Sequence, residues 1–134
     1  MPITYNTDLS LDVFQVIDLY NRSTLGERRP VDKPDVFQGM IDNASIIVTA
    51  WDDKKLVGIA RSLSDFVYVT YLSDLAVDEN YQQQGIGKKL IELTQAQTSP
   101  TCMMVLLAAP NANDYYPKLG FTANPRGWML KSNY

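Results

Sequence analysis

The sequence predicts an α+β domain: one mixed, mostly antiparallel central sheet with helices on both faces. Three observations carry that reading. Residues 45–76 are rich in β-branched and aromatic side chains and are cut by polar turns, as in consecutive antiparallel strands. Segments with apolar residues at three- and four-residue steps lie on either side of that run, so helices flank the strands in sequence. Met103-Met104-Val105-Leu106-Leu107-Ala108-Ala109 is continuously apolar, as expected of a strand buried on both faces. The 134 residues support a single domain, 1–134.

The elements follow in order. Ile3 to Asn6 reads as a short opening strand. Leu9, Val13, Val16, Ile17 and Tyr20 form one apolar face of a helix over about residues 9–22, with Asp8 or Ser10 as its cap. Residues 26–34 are polar and twice broken by proline, so they read as a loop. A second helix over residues 34–41 has proline in its first turn, where the missing N–H costs nothing. Residues 46–51 and 56–63 form a hairpin around the turn Asp52-Asp53-Lys54-Lys55. Residues 66–76 offer one or two further strands. Residues 78–85 are turn-like, and residues 86–97 are helical, with Ile86, Leu90 and Leu93 facing inward. Ser99-Pro100 stops that helix. A short helix near residues 113–119 ends at Gly120, and Phe121 and Trp128-Met129-Leu130 supply closing strands.

Composition removes several chemistries. The chain has no histidine, so no Ser-His-Asp triad, Cys-His dyad or HExxH zinc site can form, and no metal site is expected. A lone cysteine, Cys102, excludes an intramolecular disulfide and fits a reducing compartment. The net charge of −3 argues against general nucleic-acid binding. No stretch approaches a membrane span, and Met1-Pro2-Ile3-Thr4-Tyr5-Asn6 lacks the basic and apolar regions of a secretory signal. A soluble cytoplasmic protein is the expectation.

The informative stretch runs from Tyr71 to Leu90. A strand delivers the chain into a glycine-containing loop, and a helix starts inside that loop. Unpaired N–H groups and the helix dipole make such a terminus a phosphate site. Gly85 and Gly87 let the backbone curve and come close to a diphosphate, and Lys88 and Lys89 add positive charge. A Walker loop needs four residues between its glycines, where this chain has one. A dinucleotide fingerprint needs a third glycine where this chain has Leu90. Gln82, Gly85 and Gly87 do fit Gln-x-x-Gly-x-Gly. On that motif, on the preceding Leu75-Ala76-Val77, and on Tyr116-Pro117-Lys118-Leu119-Gly120-Phe121, the sequence resembles the GNAT superfamily of acyl-CoA-dependent N-acetyltransferases. The likeness spans roughly residues 45–130.

The resemblance implies a sheet splayed between its fourth and fifth strands, with acetyl-CoA (coenzyme A) as cofactor. Its pantetheine arm would lie in the gap against the main chain of Leu75, Ala76 and Val77, as an added strand does. The Gln82-Gln83-Gln84-Gly85-Ile86-Gly87-Lys88 loop would hold the pyrophosphate through its amides. The resemblance also implies direct attack of a primary amine on the thioester, with Tyr116 as general acid and the Val77 N–H as oxyanion donor. Tyr115 reads as structural. The base is Asp74, Asp65 or a chain of waters. Counting seven residues back from Tyr116 gives Ala109 where relatives often carry asparagine, so Asn111 and Asn113 are the substitutes nearest the cofactor, while Ala112 fits the usual alanine four residues before Tyr116.

On the acceptor side, Tyr20, Arg28, Arg29, Phe66, Tyr68 and Tyr71 are candidates. Arg28 and Arg29 suit an anionic group, whereas aromatics near Asp65 and Asp74 suit a cationic amine. The first functional expectation is an N-acetyltransferase acting on a small-molecule or peptide amine. The rival is a catalytically silent acyl-CoA-binding module that regulates a protein partner. A homodimer is compatible with either.

Overall fold

A computed structural model describes residues 2–8 and 10–133. The chain order is β1 (Ile3–Asn6), α1 (Val13–Arg22), α2 (Pro34–Asp42), β2 (Ile46–Asp52), β3 (Lys55–Ser64), β4 (Val69–Val77), α3 (Ile86–Ala96) and β5 (Met103–Val105). These five strands form one sheet in sequential order. The first four pair antiparallel, and β5 lies parallel to β4.

Local chemistry sets the boundaries. α1 starts at Val13 because Asp12 caps it, its carboxylate accepting from the Phe14 N–H at 3.4 Å. The expected caps Asp8 and Ser10 therefore lie outside the helix, and Leu9 lies outside the described residues. Pro34 opens α2 as expected. Register pairs Asp52 with Lys55, so Asp53-Lys54 is a two-residue hairpin loop, and Asp53 adopts the left-handed conformation with φ 53°. The run at residues 66–76 yields one strand. Before it, the Asp65 carboxylate accepts from the Val67, Tyr68 and Val69 N–H groups and forms a turn.

The sheet separates two apolar layers. α3 packs through Ile86, Leu90 and Ile91 on Ile46, Val48, Ala50, Ala60 and Leu72. A Cβ at Gly58 would lie 3.1 Å from both Ile86 and Leu90, so glycine permits this close approach. On the opposite face, α1 and α2 bury Val16, Leu19, Tyr20 and Phe37 against Leu56, Ile59 and Ala76. Each large apolar side chain so buried contributes roughly 1.5–3 kcal/mol.

Two irregularities shape the site. Arg61 pairs with Asp74 and Ser62 with Leu72, so Ser73 is an extra, unpaired residue that bulges β4. β4 and β5 pair only from Val69↔Met103 to Tyr71↔Val105, after which the strands part. The sheet is thus splayed between its fourth and fifth strands.

The C-terminal third differs from the sequence expectation. β5 ends at Val105, because beyond it residues 106–109 have left β4 and follow the gap. Met103, Val105 and Leu107 are about half exposed rather than buried on both faces. The expected helix near residues 113–119 is two 3-10 turns, Pro110–Ala112 and Tyr116–Leu119. Pro117 lacks the N–H that a continuous α-helix would need there. Gly120 ends the second turn at φ 92°, as anticipated. Phe121 and Trp128-Met129-Leu130 form no strand, since nothing among the described residues pairs with the outer edge of β5. Trp128 and Leu130 are almost fully exposed.

Candidate active site

A cavity of about 940 Å3 opens where β4 and β5 part. One wall is β4, which contributes Tyr71, Leu72, Ser73, Leu75 and Val77. The Asp78 N–H donates to the Val57 carbonyl of β3 at 2.9 Å. Strand alternation therefore turns the N–H groups of Leu75 and Val77 away from β3, toward the gap. The Val77 carbonyl faces the same way and accepts from the Gln82 side-chain amide at 3.1 Å. Ala76 points to the α1 side and is buried there.

One end of the cavity is the loop before α3. Gln83 and Gly85 both take left-handed backbone conformations, with φ 62° and 80°. They fold the chain so that α3 begins at Ile86 with its first N–H groups unpaired. The wall here includes Gln82, Gln83, Gly85, Ile86, Gly87 and Lys88, while the Gln84 side chain is exposed outside it. A Cβ on Gly87 would lie 2.5 Å from the Tyr115 Oη, so any larger residue there must displace that phenol. Tyr115, read from sequence as structural, is thus part of the cavity wall. Asp78 anchors the start of the loop. It accepts from the Asn80 N–H at 2.9 Å and forms an ion pair with Arg22. Tyr81 adds a hydrogen bond from its hydroxyl to Asp52 at 2.6 Å.

Leu106 to Ala109 form the opposite wall, continued by Asn111, Tyr115 and Tyr116. Asn113 is exposed off the wall. The Tyr116 ring is held edge-on between Tyr115 and Phe121, with centroid distances of 5.3 and 5.5 Å. Burial, and then the neighbouring Tyr115, raise the Tyr116 pKa above its ordinary value. The phenol therefore stays protonated and able to donate near neutral pH.

The other end is built by α1 and the 3-10 turn Leu25–Arg28, and Ser23, Thr24, Leu25, Arg28 and Arg29 line it. Behind it lies a buried polar cluster centred on Asp74. Its carboxylate accepts from Tyr20 Oη at 2.7 Å, Arg29 Nε at 2.6 Å and Arg61 Nε at 2.6 Å. Burial alone would raise the Asp74 pKa. The charges of Arg61 and Arg29, with hydrogen bonds from Arg61 and Tyr20, outweigh it and hold the pKa below the ordinary value.

This geometry bears on the choice among Asp74, Asp65 and a chain of waters as the base. The Asp74 side chain is 0% exposed, engaged by three donors and off the cavity wall, and no other carboxylate lines the gap among the described residues. Asp65 is spent on its turn, and the Tyr68, Val69 and Val67 N–H groups lower its pKa. Tyr20 is buried in the Asp74 cluster, while Tyr68 and Phe66 are exposed and do not line the cavity. Of the acceptor-side candidates, Arg28, Arg29 and Tyr71 remain on the wall.

The donor set fits a diphosphate-bearing cofactor. Helix N–H groups, a glycine without Cβ, and Lys88 and Lys118 surround one end, and no carboxylate lines the cavity among the described residues. The acetyltransferase (GNAT) domain family matches residues 25–126. The chain belongs to this GNAT family. Its relatives extend the likeness. It is 40% identical over 77 residues to GCN5-related N-acetyltransferase 2, chloroplastic, of Arabidopsis thaliana, covering 56% of this chain and 30% of that protein. It is 30% identical over 131 residues to an uncharacterized N-acetyltransferase, ycf52, of Pyropia yezoensis, covering 90% and 74%. The chain spans about a third of the length of three of the four first curated relatives it matches. Among solved structures, a probable acetyltransferase from meticillin-resistant Staphylococcus aureus superposes with a TM-score of 0.80 at 21% identity, covering 99% of this GNAT chain and 100% of the other. Aminoglycoside N-acetyltransferase AAC(6')-Iy, in complex with CoA, superposes with a TM-score of 0.75 at 18% identity, covering 99% and 96%. At those identities the superpositions establish the GNAT fold.

Proposed function

We propose that this chain is an acetyl-CoA-dependent N-acetyltransferase that moves an acetyl group directly to a primary amine of a small molecule or peptide. The observation that carries the reading is the continuous cavity joining the α3 N-terminus to the Arg28 end, with Tyr116 on its wall. Acetyl-CoA supplies an acyl group already activated as a thioester. The chain's own groups do the rest. The N–H groups that open α3, with Lys88 and Lys118 nearby, bind the diphosphate. The Leu75 and Val77 main chain orients the pantetheine arm, and the Val77 N–H donates to the acetyl oxygen as charge develops there. Tyr116 Oη holds the proton that the departing sulfur takes. With Asp74 and Asp65 both occupied, water removes the amine proton.

Thermal denaturation with acetyl-CoA, and with NADH and ATP as controls, tests the cofactor. Ligand at about 100 times its dissociation constant adds roughly 2.7 kcal/mol, a shift of several degrees for a domain of this size. A saturable shift with acetyl-CoA alone is the expected result, and thiol release on adding an amine then distinguishes an enzyme from a silent binder. No shift at millimolar acetyl-CoA overturns the reading.

A further inference from the structure

We propose that the acceptor is a small amine that carries a carboxylate, held by the Arg28 guanidinium at the cavity end away from the α3 N-terminus. The inference rests on the transferase reading above and narrows it to one substrate class. Although the chain carries a net charge of −3, the charged residues lining the cavity are Arg28, Arg29, Lys88 and Lys118, with no acid among them. Lys88 stands in the first turn of α3, with the groups suited to a diphosphate, and Lys118 on the 3-10 turn that begins at Tyr116. The two arginines stand at the other end and need another explanation.

The arginines differ in their freedom. Arg29 is spent within the protein: Nε donates to Asp74, Nη2 to the Ser73 carbonyl at 2.9 Å and Nη1 to the Arg28 carbonyl at 2.8 Å. That last bond fixes the backbone of Arg28. The Arg28 side chain is exposed on the wall and has no ion pair among the described residues. Asp74 neutralises only one of the two guanidiniums it binds, so the Arg29–Asp74–Arg61 cluster keeps one positive charge behind the wall. Arg28 adds a second. The nearby acid, Glu27, is exposed and off the wall.

Thr24, which precedes the Leu25–Arg28 turn and also lines the cavity, has φ 70°, a conformation that β-branched residues rarely adopt. Such a turn is kept where the surroundings impose it, and functional sites concentrate such residues. A planar guanidinium with open N–H groups binds a carboxylate through two parallel hydrogen bonds. A polycationic acceptor would meet two uncompensated positive charges and no acid.

The test supplies acetyl-CoA for turnover, keeps CoA-loaded protein for the binding arm, and uses amines matched in length: 5-aminopentanoate, n-pentylamine and 1,5-diaminopentane, with the four- and six-carbon homologues of each. Acetylation is followed by thiol release, and glutarate, which has no amine, is titrated by thermal shift. The expected kcat/KM for the best aminocarboxylate exceeds that of its alkylamine by about tenfold or more, and that of its diamine by a larger factor. Glutarate should stabilise the CoA-loaded protein. Arg28→Ala should remove the advantage of the carboxylate, and Arg28→Glu should invert the order toward the diamine. A preference of the wild type for the diamine overturns the proposal. So does acetyl-CoA binding with no response to glutarate and no preference for aminocarboxylates, or a preference that survives Arg28→Ala. Failure of acetyl-CoA to bind strikes the transferase reading itself.

Discussion

Tyr116 and Asp74 are both polar and largely buried, but only Tyr116 lines the cavity. Tyr116 lines the cavity with its pKa raised, so it is a neutral donor wherever the protein is folded near pH 7. Tyr116→Phe keeps the ring between Tyr115 and Phe121 and removes only the hydroxyl that carries the proton. The expected loss in kcat is about 10²- to 10⁴-fold, with the acetyl-CoA thermal shift retained. A variant with wild-type turnover across pH would leave Tyr116 as packing. Asp74 is the contrary case. Asp74→Asn takes the negative charge from between Arg29 and Arg61, whose side chains are 25% and 9% exposed. Breaking a buried pair in this way costs about 3–5 kcal/mol, and a midpoint fall of roughly 10 °C should appear in thermal denaturation. A catalytic base would show the reverse pattern: an unchanged midpoint and a rate lost mainly at low pH.

At the scale of elements, the loop before α3 depends on a contact between distant parts of the chain. Gly87 is open only as far as the Tyr115 hydroxyl permits. Gly87→Ala must push that ring aside, and because Gly87 lies in the first turn of α3, acetyl-CoA affinity should fall by about tenfold or more. Tyr115→Phe deletes the clashing oxygen and leaves the next ring atom at 3.5 Å, an ordinary contact. The double variant should therefore recover most of the affinity and melting temperature lost in Gly87→Ala alone, a non-additivity that calorimetric titration of the four proteins reads directly. Additive losses would mean that the ring does not sit over the loop.

What could be read in sequence follows the same division. Gln82, Gly85 and Gly87 mark the loop because its backbone geometry is local. Antiparallel neighbours alternate locally too, so β2, β3 and β4 were legible. The ion cluster at Asp74 was not legible because its partners Tyr20, Arg29 and Arg61 are 54, 45 and 13 residues away, and only the sheet register and the turn after α1 bring them together. Residues 103–109 were misread because an apolar run has the same pattern on a cavity wall as in a buried strand.

For the whole molecule, the Asp74 cluster ties α1, the 3-10 turn after it, β3 and β4 into one unit, so its titration limits the stability of the fold at both pH extremes. The Asp74 pKa is lower folded than unfolded. Its contribution is complete above the unfolded carboxylate value of about 4 and is lost as pH falls through the lowered native value. Tyr20 has the opposite sign: burial, and then Asp74, push its pKa well above the ordinary value. Its contribution is complete below about pH 10 and is lost as pH rises from there, because the unfolded phenol ionises first. Melting temperatures of the wild type, Asp74→Asn and Tyr20→Phe should therefore be compared from about pH 2.5 to 11. The gap between wild type and Asp74→Asn should be level from about pH 5 to 9 and narrow below about pH 4. The gap to Tyr20→Phe should instead narrow only above about pH 10. If the Asp74→Asn gap stayed level into acid, Asp74 would be titrating as in the unfolded chain, and if it widened the native pKa would be raised; either result would mean that the ion cluster is not what joins α1 to the sheet.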